Sequence, residues 1–225
     1  FEKRKKELSF SRGLYVYGSP GCGKSTFVKN ILKKLNYDII SYDAGDIRNK
    51  SVIDNITKHK ISDTNILAMF HKKKKKIAII MDEIDGMNSG DKGGINTLIK
   101  LIRPKKTKKQ KTEDITMVPI ICIGNYHVDK KIKELIKVCN TIELKKPTNN
   151  QIENIVNLIL PNIEDKFKEN IVDFVQGDLR KITTTYEIYK NHESFLQTEI
   201  IKNILETKNY NEDTKVIVKK LLNNR

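Results

Sequence analysis

Short apolar runs and longer helical stripes alternate along the first part of the chain, and then the runs stop. Leu14 to Tyr17, residues 38–42, Ile77 to Met81, residues 118–124 and residues 141–144 are short and mostly apolar, rich in β-branched or aromatic side chains, as buried strands are. Behind the first and third of them the apolar spacing becomes helical: Val28, Ile31, Leu32 and Leu35 form one stripe, and Ile95, Leu98, Ile99 and Ile102 another. Strands alternating with helices predict an α/β domain over residues 1–146, built on a parallel five-stranded sheet with crossover helices.

From Pro147 onward only helical stripes remain. Ile152, Ile155, Val156 and Ile159 mark a helix that Pro161 ends, Phe167, Ile171, Phe174 and Val175 mark a second, and Leu179, Ile182 and Tyr186 begin a third. Residues 147–192 therefore predict a small all-α domain. The stretch 193–225 adds two further helical patterns, one of them on Ile200, Ile201, Ile204 and Leu205. Arg103 to Thr116, rich in Lys and without apolar period, predicts a flexible insertion. There is no internal repeat.

The chemistry sits where the strands end. Gly18-Ser19-Pro20-Gly21-Cys22-Gly23-Lys24-Ser25-Thr26 fits the pattern Gly-x-x-x-x-Gly-Lys-Ser/Thr, in which backbone N–H groups close around phosphate oxygens, Lys24 reaches the outer phosphates and the Ser25 hydroxyl faces Mg²⁺. A Gly-rich turn before an ordinary helix is the alternative. The strand ahead and the helix behind are the context a phosphate loop needs, and a helix N-terminus favours the anion. All nine residues, Gly18 to Thr26, are expected to bind the nucleotide. The third strand, apolar enough for burial on both faces, ends in Asp82-Glu83, at the edge where open α/β sheets place ligands. Asp82 suits a Mg²⁺ held through its water shell, and Glu83 suits a base that polarises water. ATP and Mg²⁺ are the expected ligands and hydrolysis the expected reaction.

Charge and cysteines narrow the setting. With 43 Lys and Arg against 28 Asp and Glu, the net charge of +15 points to a polyanion, nucleic acid first. It is clustered in Lys3 to Lys6, Lys72 to Lys76 and Lys105 to Lys111, although any one such run is as readily a solvated loop. Cys22, Cys122 and Cys139 are odd in number and form no Cys-x-x-Cys, so neither a disulfide framework nor a zinc site is indicated, which suits an intracellular protein. No apolar run approaches membrane-spanning length and no leader is visible, so no membrane partner is expected; the sequence begins at Phe1, and segments upstream stay open.

A nucleotide-binding α/β domain followed by helices resembles the AAA+ ATPases, and several shorter stretches resemble their clamp-loader branch. Asp43-Ala-Gly-Asp46-Ile-Arg48 is similar to the Asn-Ala-Ser-Asp-x-Arg segment of clamp-loader subunits, and Asp82-Glu-Ile-Asp-Gly-Met87, Gly93-Gly94-Ile95 and Pro119-Ile-Ile-Cys-Ile-Gly-Asn125 are similar to the replication factor C large subunit. The likeness runs from about Gly13 to Tyr189. It implies an ATPase that helps open a sliding clamp and load it onto primer–template DNA, within a hetero-pentamer of small clamp-loader subunits. It also implies a lid for residues 147–192, and for 193–225 the start of a collar domain. A nuclear setting follows, or a replication compartment if viral.

Carried over position by position, the resemblance makes Asn125 the polar sensor beside the γ-phosphate and Arg180, in Gly177-Asp178-Leu179-Arg180, a second sensor. Lys24, Glu83, Asn125 and Arg180 are then the expected catalytic set, and Ser25 and Asp82 the Mg²⁺ ligands. Ile66, Met69 and Phe70 resemble a clamp-binding hook, against the reading that Ile66 to Phe70 finish a core-facing helix. Arg48 and Lys100 are the expected DNA contacts. Two departures stand out: Ser19-Pro-Gly-Cys22 replaces the family's usual Gly-Pro-Pro-Gly, and Lys137-Val138-Cys139 stands where small subunits carry Ser-Arg-Cys, so the arginine finger given to a neighbour is missing, as in the large subunit. The alternatives are another AAA+ ATPase of replication or repair, an initiator or a branch-migration motor, or a nucleotide-holding scaffold without turnover.

Overall fold

The computed structural model describes residues 12–46, 48, 50–51, 53, 76–88, 93–112, 118–125, 130–161 and 165–191. The chain divides into two units, one ending at Lys146 and the other starting at Pro147.

The first unit is built on β1 (Gly13–Gly18), β2 (Tyr37–Tyr42), β3 (Lys76–Met81), β4 (Ile120–Gly124) and β5 (Asn140–Leu144). All pair in parallel, in the spatial order β2-β3-β4-β1-β5. Parallel neighbours need crossovers, and helices α1 (Lys24–Lys34), α2 (Gly94–Ile102) and α4 (Lys130–Ile136), with the short α3 (Lys108–Lys111), lie between the strands in sequence. Because side chains alternate across a strand, one apolar segment feeds two cores. Tyr15, Ile77, Ile79, Met81, Ile120 and Cys122 pack on one face with Leu98 and Ile102 of α2 and with Ile132 and Leu135 of α4. Val16, Ala78, Ile80, Ile121 and Ile123 pack on the other with Val28 and Leu32 of α1. This two-sided burial is why β3 and β4 read as unbroken apolar runs. Truncating a side chain such as Leu98, fully buried, to Ala would cost about 2 to 5 kcal/mol.

The second unit holds α5 (Asn149–Ile159), α6 (Asp165–Val175) and α7 (Leu179–Asn191) around Ile152, Val156, Leu160, Ile171, Val175 and Ile182. Helix α5 starts in a capping box, in which the Thr148 hydroxyl accepts the Gln151 N–H while the Gln151 side chain accepts the Thr148 N–H.

The Lys-rich stretch after α2 departs from expectation. Among its described residues, Thr107 and Gln110 close a second capping box around α3. Lys105, only 2% exposed, donates its ammonium to the Lys100 carbonyl at the end of α2. The Thr-x-x-Gln spacing supplies the missing order, while Lys106, Lys108, Lys109 and Lys111 remain exposed.

Candidate functional site

The sheet order decides which residues meet. β4 lies between β3 and β1, and its register sets Met81 beside Cys122 and Tyr17 beside Gly124. The carboxyl ends of β1, β4 and β3 therefore stand side by side. The phosphate loop leaves the first, Asn125 the second and Asp82-Glu83 the third.

The loop is shaped by glycines. Gly21 (φ 78°) and Gly23 (φ 87°) adopt the left-handed conformation that other residues enter at a cost, and Gly23 caps the N-terminus of α1 with no side chain on the exposed N–H groups. The first turn of α1 carries no acidic residue, so its amides and its dipole are left for an anion. Gly18 has no room for a side chain, since a Cβ there would collide with the Leu144 carbonyl oxygen of β5 and lie 3.2 Å from Cys22 Sγ. Cys22 itself is buried, its thiol 3.5 Å from the same oxygen, so this thiol anchors the loop to the neighbouring strand.

Lys24 is 9% exposed and its ammonium donates three hydrogen bonds, to the carbonyls of Gly18 at 3.0 Å and Ser19 at 2.9 Å and to Asn125 Oδ1 at 3.0 Å. The structure thus brings together two residues that are 101 positions apart in sequence. With Oδ1 turned to the lysine, the NH₂ of Asn125 is the donor left for a phosphate oxygen or a water. Ser25, partly buried, and Thr26, exposed, follow in the first turn of α1, with Pro20 exposed in the loop.

At the end of β3, the Glu83 N–H donates to Asp82 Oδ1 at 2.9 Å; Glu83 is exposed and takes a positive φ of 47°, rare for a side chain of its kind. The oxygen-only set of Ser25 and Asp82 matches a Mg²⁺ that keeps waters and phosphate oxygens, and among the described residues no group of three or more His, Cys, Asp and Glu forms a cage of its own.

Arg48 overturns its expected place. It is 1% exposed, and its guanidinium donates to the Asp82 carbonyl and, at 3.5 Å, to that of Glu83. A side chain buried against the backbone of the acidic turn presents no face to a DNA phosphate here; charge suggested the contact, and burial reassigns the residue to holding the turn. Lys100 is exposed on α2. Arg180, at the start of α7 in the second unit, forms a two-pronged ion pair with Asp178, with Nε to Oδ1 at 3.0 Å and Nη2 to Oδ2 at 2.9 Å. Bonding to Arg180 holds the Asp178 carboxyl below its ordinary pKa. Ile66, Met69 and Phe70 lie outside the described residues. Asp85 was missed by sequence reasoning: its Oδ2 accepts the Asn125 N–H at 2.7 Å. The Asp82-Glu-Ile-Asp85 spacing was its only signal.

Comparison with known proteins fits this geometry. Residues 14–148, more than half of the chain, match the family model described as ATPase family associated with various cellular activities (AAA). Replication factor C subunit 1 of Saccharomyces cerevisiae is 30% identical over 204 residues, which cover 81% of this chain and 22% of that protein. The replication factor C large subunit of Pyrobaculum calidifontis is 23% identical, over 89% of this chain and 45% of the relative. The chain thus spans less than half the length of both. Among solved structures, a Thermotoga maritima RuvB mutant superposes with a TM-score of 0.55 at 15% identity, covering 93% of this chain and 62% of that one, a likeness of fold. With its phosphate loop, acidic strand end and five-stranded parallel sheet, the chain belongs to the AAA family of ATPases.

Proposed function

We propose that this chain is the ATP-hydrolysing large subunit of a clamp loader, or a piece of one, which with small partner subunits opens a sliding clamp and places it on primer–template DNA. The observation that carries the enzymatic half is the bond from Lys24 to Asn125 Oδ1 at the shared edge of β1 and β4. It sets a cation and an amide donor over the mouth of a loop whose glycines leave backbone N–H groups for phosphates. Gly18 to Thr26 hold the triphosphate, and Lys24 moves its donors onto the outer phosphate oxygens. Ser25 and Asp82 would hold Mg²⁺, which would supply neutralisation of the phosphate charge. Glu83 accepts a proton from the water that attacks the γ-phosphorus, the Asn125 amide orients that water, and the electron pair of the broken P–O bond leaves with ADP. Arg180, by its resemblance to the family's second sensor, is the last member of the proposed catalytic set.

The clamp-loading half is supported by the replication factor C relatives and by the excess positive charge. Lys100 and the other exposed lysines would track the phosphate backbone of DNA, with affinity that falls steeply with salt and little sequence preference. Ile66, Met69 and Phe70 would hook the clamp, as buried aromatic anchors commonly do at such interfaces. No helix among the described residues is long and apolar enough to cross a membrane, and the nucleus is the proposed place of action.

Lys137-Val138-Cys139 offers no arginine to a neighbour, as in a large subunit, and by the same resemblance this site would receive its finger from the next subunit, a contribution worth about 10³ to 10⁵ in rate in other phosphoryl-transfer systems. The deciding experiment measures phosphate release. The chain alone should bind ATP and barely turn it over, and small subunits with clamp and primed DNA should restore turnover. Brisk hydrolysis by the chain alone, independent of its concentration, would refute the large-subunit reading. Sequence-specific DNA binding that survives high salt would point to an initiator instead.

A further inference from the structure

Asp85 has no part in the mechanism above, yet it joins two of its components. The short 3-10 helix Ile84–Asn88 buries Ile84 and Met87 in the core, and the residue after Ile84 reaches across to the end of β4. There Asp85 Oδ2 accepts the Asn125 N–H at 2.7 Å, a short bond of the charge-assisted class. Asp85 Oδ1 packs against Gly124, where a Cβ would strike it and would lie 2.5 Å from the Tyr15 hydroxyl. Tyr15 is 1% exposed, and burial together with the Asp85 charge raises its pKa, so the carboxylate faces a neutral phenol. Asn125 passes the connection on through Oδ1, 3.0 Å from the Lys24 ammonium.

We infer that Asp85 is a positioning residue for hydrolysis: by gripping the backbone amide of Asn125 it fixes that side chain with Oδ1 on Lys24 and its NH₂ toward the reacting phosphate. The inference rests on the ATPase reading of the site. Asp85 lies outside the loop Gly18 to Thr26 that is proposed to bind the phosphates, so its loss would misalign the amide and leave every proposed phosphate ligand in place. The defect belongs in turnover, and nucleotide affinity should survive.

The test uses the chain assembled with small subunits, clamp and primed DNA for kinetics, and the chain alone for titration with a fluorescent ATP analogue. Asp85→Ala should lower kcat roughly 10- to 100-fold, the range that loss of one hydrogen bond to a charged group corresponds to, with KM and ATP affinity within about threefold of the parent. Asp85→Asn keeps a carbonyl oxygen for the Asn125 N–H and should recover most of the rate. Asp85→Ala added to Asn125→Ala should cost little further in kcat, because the effect on turnover is proposed to run through the Asn125 side chain. Parent-like kcat in Asp85→Ala, or losses that multiply in the double variant, would overturn the inference. Should Asp85→Ala not fold, the unsubstituted chain still decides: its Asn125 amide proton must resonate downfield and exchange slowly, and an ordinary, fast-exchanging amide overturns the contact. Failure of the ATPase reading looks different, since the parent itself would then bind no ATP and Lys24→Ala would change nothing.

Discussion

Gly18 is where a single methyl group tests the geometry of the phosphate loop most severely. It ends β1 and pairs with Leu144 of β5, and a Cβ built on it would collide with the Leu144 carbonyl oxygen while sitting 3.2 Å from the carbonyl carbon and from Cys22 Sγ. Two of these three atoms are backbone, so no rotamer change relieves the overlap. Either the end of β5 peels from β1 or the loop is pushed away from its strand. Overpacking of this kind costs about 1 to 3 kcal/mol. At about 2 to 4 °C of Tm per kcal/mol for a chain of this length, Gly18→Ala should melt roughly 2 to 12 °C below the parent. The displaced loop should also bind a fluorescent ATP analogue at least about tenfold more weakly, as 1.4 kcal/mol of lost binding implies. Gly45→Ala is the matched control, since a Cβ there meets only Asp43 Oδ1, at 3.4 Å, and should change stability by less than about 0.5 kcal/mol. Thermal melts and ATP titrations of the three proteins settle the matter. If Gly18→Ala melted and bound ATP as Gly45→Ala does, the close approach of β5 to the loop would be wrong.

Three further outcomes are expected. Lys24→Ala should lose ATP affinity, whereas Glu83→Gln should keep it and lose turnover; a Glu83→Gln assembly hydrolysing ATP at the parent rate would refute the assignment of the base. Arg48→Ala removes a fully buried guanidinium from the carbonyls of Asp82 and Glu83 and should destabilise the chain by about 2 kcal/mol or more and lower kcat, read by melting and by phosphate release; unchanged stability would show that the side chain does not hold the acidic turn. Burial pushes the Cys139 thiol up to about 12 and Cys122 higher than its ordinary value, so the unfolded chain loses these protons from about pH 8.5 upward while the folded chain keeps them; stability is full below that pH and should fall as pH rises toward 12. Cys139→Ala should flatten that alkaline slope in urea melts, and an unaltered slope would mean the thiol is not buried.

The strands were legible because their environment is uniform. Ile77 to Met81 is buried on both faces, so burial alone writes the pattern, and β3 extends it by one residue to Lys76. The phosphate loop was legible because its chemistry demands glycine and lysine at fixed spacing. What stayed hidden depends on where a polar side chain turns after the backbone is set. Arg48 and Lys105 are cations by composition and read as surface, yet each spends its charge on carbonyl groups inside the fold. Asp85 is one more acid in an acidic turn until the sheet order brings β4 alongside β3 and its carboxylate meets the Asn125 amide. The helical order of α3 was missed for a smaller reason: a capping box over four lysine-rich residues leaves no apolar period to find.

Four glycines mark places where the fold has no tolerance for drift. Gly18 lies against Leu144 and Gly124 against Asp85 and Tyr15, while a Cβ on Gly13 would strike Ile102 Cγ2 and one on Gly94 the Arg48 carbonyl oxygen. Any single-base change in such a codon that alters the amino acid installs a side chain, so every amino-acid replacement there is harmful at once, with no conservative neighbour to pass through. The lysines of α3 are exposed and exchange for arginine or glutamine with little effect on packing. Descendants of this chain would therefore keep these four positions letter for letter while their basic surface is rewritten, and a saturation mutagenesis map would show four empty columns beside a freely varying patch.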